Sequence, residues 1–146
     1  MTIPAREDIN IHNSPDEILA VEHFLGKNLS EAEKLFSQNP LYYQEDLMWM
    51  GVVAFRFYIQ AAISYIQSEA ADNDYDTINC LAGILEFRLK HEYQELRPIA
   101  GKLMTLCRYI LKNLDKFDTE ICDDLQARYI LLQQSFEQFE REESVL

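Results

Sequence analysis

Between Asp46 and Glu69 the chain carries one formal charge, Arg56, within the run LMWMGVVAFRFYIQAAISYIQ that spans Leu47 to Gln67. As a single helix this run would be about 31 Å long, enough to cross a bilayer. Its internal pattern argues for a different environment. Arg56, Gln60 and Ser64 fall at i, i+4 and i+8, and Gln67 and Ser68 extend the line, which draws a narrow polar stripe along one helix face. An arginine near a bilayer centre costs about 2.5–3.5 kcal/mol on insertion scales, and a single span offers it no partner. The run therefore reads as the central helix of a water-facing bundle, covered on most sides. Gly51 is placed to divide it into a short turn over 44–50 and a long helix from Val52 to Glu69.

The rest of the chain supports helices. Gly and Pro number 4 each in 146 residues, too few for the turns of an all-β fold. Hydrophobic residues make up 48% and charged residues 26%, which is ordinary for a globular chain of one-domain size. Ser14-Pro15-Asp16-Glu17 has the form of a capping box with proline in the first turn, and Gly26 offers a stop. Ser30-Glu31-Ala32-Glu33 repeats the box, and Asn39-Pro40 ends that second, short helix. A fourth helix follows the polar turn 70–76 and buries Ile78, Leu81, Leu85 and Leu89, with Arg88 at the core edge and its head outward. The fifth starts at Pro98 and buries Ile99, Leu103, Leu106, Ile110 and Leu114. The last starts near Asp118-Thr119 and carries Ile121, Leu125, Tyr129, Leu132, Phe136 and Phe139.

The fold class expected is all-α: a single-domain, irregular antiparallel bundle of about six helices, with a degenerate helical-repeat array as second choice. The expected organisation is a flexible N-terminal arm over 1–13, a bundle over 14–139, and a charged, fraying C-terminal tail over 140–146.

Charge is unevenly spread. The chain is net −12 with a pI near 4.6. That balance excludes a nucleic-acid partner bound through phosphates and suits a basic protein partner. One segment, 97–117, is net +4. On it Lys102, Thr105, Arg108 and Lys112 line the face away from the apolar stripe, either paired with acidic neighbours or open to an anion or an acidic partner. The three cysteines, Cys80, Cys107 and Cys122, are widely spaced and form no CxxC pair, which fits reduced thiols in a cytoplasmic protein. The N-terminus shows no secretory pattern.

Catalytic constellations are missing from the sequence. His12, His23 and His91 are scattered; Glu-x-x-His, HExxH, GxSxG, phosphate loops and a complete EF-hand loop do not occur. No catalytic residue, no metal and no cofactor is expected. The segment with unusual company is Tyr42 to Arg56. Tyr42 and Tyr43 precede the carboxylates Glu45 and Asp46; Trp49, Arg56, Tyr58 and Gln60 follow. If 41–50 folds back over the long helix, Asp46 or Glu45 meets Arg56. Such a cluster orients the bundle or, since Tyr, Trp and Arg dominate binding hot spots, receives a partner.

In size and acidity the chain resembles small bacterial toxin-neutralising (immunity) proteins and acidic helical secretion chaperones; the likeness is one of composition and covers no motif. The expected function is a non-enzymatic protein–protein interaction module for a basic partner, with no nucleic acid and no membrane. The alternative is a small-ligand-binding or enzymatic bundle with an anion-accepting pocket around Arg56. A homodimer through the face from Tyr129 to Phe139 is a third reading.

Overall fold

The computed structural model describes residues 1–117 and 123–145. Every regular element among them is helical. In chain order these are α1 (Arg6–Ile9), α2 (Pro15–Phe24), α3 (Leu29–Gln38), α4 (Pro40–Gln44), α5 (Asp46–Trp49), α6 (Val52–Ile66), α7 (Tyr75–His91), α8 (Ala100–Lys112) and α9 (Asp123–Val145). Short 3-10 turns occupy Glu69–Ala71, Gln94–Ile99 and Leu114–Phe117. Among the described residues, the helices of ten residues or more are the six that periodicity and caps predict.

The local signals act largely as their chemistry requires. The amide of Glu17 donates to Ser14 Oγ and the amide of Ser14 donates back to the Glu17 carboxylate. Gly26 takes the left-handed conformation, φ 77°, one residue past the α2 C-cap. The second box is shifted: Asn28, not Ser30, caps α3, and Glu31 rather than Glu33 returns the bond. The two-residue difference lies within what local signals resolve. The start expected at Asp118-Thr119, with Ile121 and Cys122, lies outside the described residues.

The chain divides into two compact units, Met1–Ala71 and Asp72–Leu146. In the first, α3 and α1 pack on α6, and α2 packs on α5. Its core holds Phe24, Phe36, Leu47, Phe55, Tyr58 and Ile59. In the second, α9 packs along α8 and against α7, around Leu81, Leu85, Leu103, Leu106, Tyr129 and Phe136.

Four expectations are corrected. The segment 1–13 is not a loose arm: α1 docks on α6, Ile9 is fully buried, and its carbonyl accepts the Gly51 amide at 3.0 Å. Buried Pro4 and Ile9, the Gly51 amide and the Glu17 carboxylate on the Ile11 and His12 amides together anchor this polar segment. The charged tail is not separate from the bundle helix, because α9 continues to Val145 and Glu142 accepts bonds from Arg97 at 2.9 Å and the Tyr93 hydroxyl at 3.0 Å. Arg88 does not turn its head outward; it is 3% exposed, and its Nη1 reaches Glu92 at 2.6 Å, one turn along the same helix. The apolar side chains Tyr129, Leu132, Phe136 and Phe139, read as a face for a second copy, are already buried within the chain. No helix among the described residues is long and apolar enough to cross a membrane.

Candidate functional site

The first unit brings four polar and aromatic side chains together at the packing of α2 against α4 and α5. His23 lies in the last turn of α2, whose start is set by Ser14. Pro40 opens α4 and places Tyr42 and Tyr43 on its single turn. Glu45 separates α4 from α5, and Asp46 is the first residue of α5. Asp46 Oδ2 stands 2.6 Å from His23 Nδ1, and the Tyr42 hydroxyl stands 3.2 Å from His23 Nε2. The imidazole also packs against both tyrosine rings, with centroids 5.1 Å from Tyr42 and 5.0 Å from Tyr43.

The electrostatics follow from burial. Asp46 is only 4% exposed. Loss of hydration raises its pKa from 3.8 to about 6; the His23 hydrogen bond and charge oppose the rise, and the nearby acids Glu45 and Asp16 add to it. A buried carboxylate needs a donor, so Nδ1–H of His23 donates to it. Nε2 faces the Tyr42 hydroxyl, and in the neutral Nδ1–H tautomer it would accept from that phenol. The row therefore runs from a buried acid to a phenol that is 45% exposed. A carboxylate-oriented imidazole facing a hydroxyl is the layout of a general base. The same contacts also hold an exposed aromatic ring in one orientation.

The other expected site residues fall around this cluster or apart from it. Glu45 is exposed beside Asp46. Trp49 ends α5 and is 45% exposed. The partner of Asp46 is thus His23, where the sequence suggested Arg56. Arg56 is half-buried on α6, and its carbonyl accepts from Gln60 Nε2 at 3.1 Å. Tyr58 is fully buried and structural. Its hydroxyl donates to the carbonyls of Phe24 at 2.7 Å and Lys27 at 2.9 Å, which satisfies the C-terminal end of α2. Burial, together with the charge of Glu31, pushes that phenol up to about 12.

His23 is the residue that sequence reasoning passed over. It is one of three scattered histidines, and no local spacing links position 23 to position 46. Cys107 is buried, its thiol pushed up by desolvation to about 12, whereas Cys80 is exposed. Among the described residues no group of three or more His, Cys, Asp or Glu side chains is placed to hold a metal ion. Neither a protein-family model, nor a curated protein, nor a solved structure matches this chain.

Proposed function

We propose that this chain is a non-enzymatic protein–protein interaction module that receives a basic partner through the face carrying Tyr42 and Trp49. The observation that carries the reading is the state of these two side chains. Both are large aromatics, each 45% exposed, on consecutive one-turn helices, and Tyr42 is braced from behind by His23 and Tyr43. A rigid aromatic loses little conformational freedom on docking, which is why Tyr and Trp anchor so many interfaces. Exposed Glu45 stands between them in sequence, and the first fifty residues are net −6. A basic partner would be steered by that charge and then held by the rings. Neutralising a basic toxin or chaperoning a basic client in the cytoplasm are the roles in keeping with this chemistry.

A second reading takes the row Tyr42–His23–Asp46 as acid–base machinery. Its support is the 2.6 Å contact that orients the imidazole. The two readings part on Trp49, which the first requires as an anchor and the second does not use.

The test is affinity capture from host lysate at low and high salt with wild type, Trp49→Ala and Tyr42→Ala. One stoichiometric basic protein, released by salt and lost from both variants, supports the interaction reading. Equal retention by all three proteins removes it. A chemical activity lost in His23→Gln but intact in Trp49→Ala would favour the second reading instead.

A further inference from the structure

The second unit carries the opposite charge on one face. α8 presents Lys102, Arg108 and Lys112 to solvent. A groove of about 410 Å³ opens beside two of them, lined by Arg108, Leu111 and Lys112 of α8 and Gln133 of α9. It is an open trough, not an enclosed cavity. One carboxylate already sits at its flank: Glu137 accepts from Gln133 Nε2 at 2.9 Å and lies 3.4 Å from Arg108. That contact is long, and the Arg108 side chain stays 47% exposed beside it. No ion pair reaches Lys112 among the described residues.

We propose that this groove takes an acidic peptide segment of a partner protein, with two carboxylates against Arg108 and Lys112 and an apolar side chain on Leu111. Arg108 and Lys112 are one helical turn apart, so their Cβ atoms lie roughly 6 Å from each other. Carboxylates at i and i+4 of a short helical peptide match that spacing. Leu111 supplies apolar floor between the charges. An open trough cannot bury most of a small molecule, as small-ligand sites do, but it accepts one face of a peptide. Charge complementarity is local. The segment 97–117 is net +4, while the chain as a whole is net −12. Repulsion from the rest of the chain is screened beyond about 10 Å at 0.1 M salt, so contacts inside the groove decide binding.

The probe is an acetylated, amidated peptide Glu-Leu-Ala-Leu-Glu, titrated into the isotopically labelled full chain near 0.1 M salt and followed by amide chemical shifts. The expected result is saturable shifts over 108–112 and 133–137. They should be lost when both peptide glutamates are glutamine, and affinity should fall roughly tenfold or more in Lys112→Glu, the loss of one charge-assisted contact. Lys112 is exposed, so an unchanged melting temperature would show that this variant folds. Absence of shifts at millimolar peptide, equal shifts with the glutamine peptide, or shifts centred elsewhere would each overturn the proposal.

Discussion

Gly51 donates its amide to the carbonyl of Ile9 across 3.0 Å, and this bond fastens α1 to the start of α6. The approach is close enough that a Cβ at Gly51 would run into the Asp8 carbonyl oxygen and lie 2.8 Å from Ile11 Cδ1. Backbone cannot yield as a flexible side chain can. Gly51→Ala should therefore cost on the order of 1–3 kcal/mol, as overpacking does. Chemical denaturation would measure it. An unchanged midpoint would show that α1 is not fastened at Gly51.

Glu17 is 3% exposed and gathers the amides of Ile11, His12 and Ser14 and the Ser14 hydroxyl. Burial alone would raise its pKa, but these hydrogen bonds together outweigh it and hold the carboxyl at about 2, against an ordinary 4.5. A depressed folded pKa contributes stability above the unfolded value and loses it as pH falls towards the folded one. The contribution, about 3 kcal/mol, should be full above 4.5 and disappear towards 2. Glu17→Gln should be less stable than wild type at neutral pH, and the gap should close on acidification through that window. A gap that stays constant with pH would refute this assignment.

Asp46 has the opposite sign. Its folded pKa is raised, so its contribution is present below 3.8 and is lost as pH rises through about 6. In Asp46→Asn the fall in stability across that window should be shallower than in wild type. Denaturation midpoints at several pH values would show it, with His23→Gln as the companion that separates the carboxylate from its partner. Parallel profiles for wild type and Asp46→Asn would sink the idea.

Two buried phenols each satisfy backbone carbonyls. Tyr58 donates to Phe24 and Lys27, and Tyr129 donates to Ile78 at 2.6 Å. Tyr58→Phe and Tyr129→Phe should each lose about 0.5–1.5 kcal/mol; the Phe24 carbonyl keeps the Lys27 amide as a donor at 3.0 Å. Thermal melts would rank them. A stabilised Tyr58→Phe would show that the α2 carbonyls do not depend on this hydroxyl.

Trp49→Ala should leave the melting temperature nearly unchanged, since the ring is half in water, yet remove a hot-spot contribution of about 2 kcal/mol or more from partner affinity. Calorimetry, by thermal scan of the variant and by titration with the captured partner, would measure both. A loss of fold would mean that the ring belongs to the core.

Helix positions were legible because their signals are local. Ser14, Glu17, Gly26 and Pro40 act on backbone groups within a few residues, and apolar spacing at 3.6 residues assigns Leu81, Leu85, Leu103 and Leu106 to the core. Arg56, Gln60 and Ser64 form a seam as read, with Gln60 and Ser64 bonding carbonyls one turn back. Less of the candidate site was readable. Tyr42, Tyr43 and Asp46 could be singled out by their company, but their shared partner His23 could not. The bond between 23 and 46 exists only because α2 lies against α5.

The sequence by itself determined the six long helices, roughly where most of them begin and stop, and which face of each is apolar. These depend on interactions over one or two turns, and the sequence states every participant. The tertiary structure alone decided that α1 is anchored through Ile9, that the Arg88 side chain is buried, and that Asp46 meets His23. Each of those outcomes turns on which helix faces meet. Asp46 has the partner that packing carries within 2.6 Å of it, and the separation of 23 from 46 in sequence does not encode that distance.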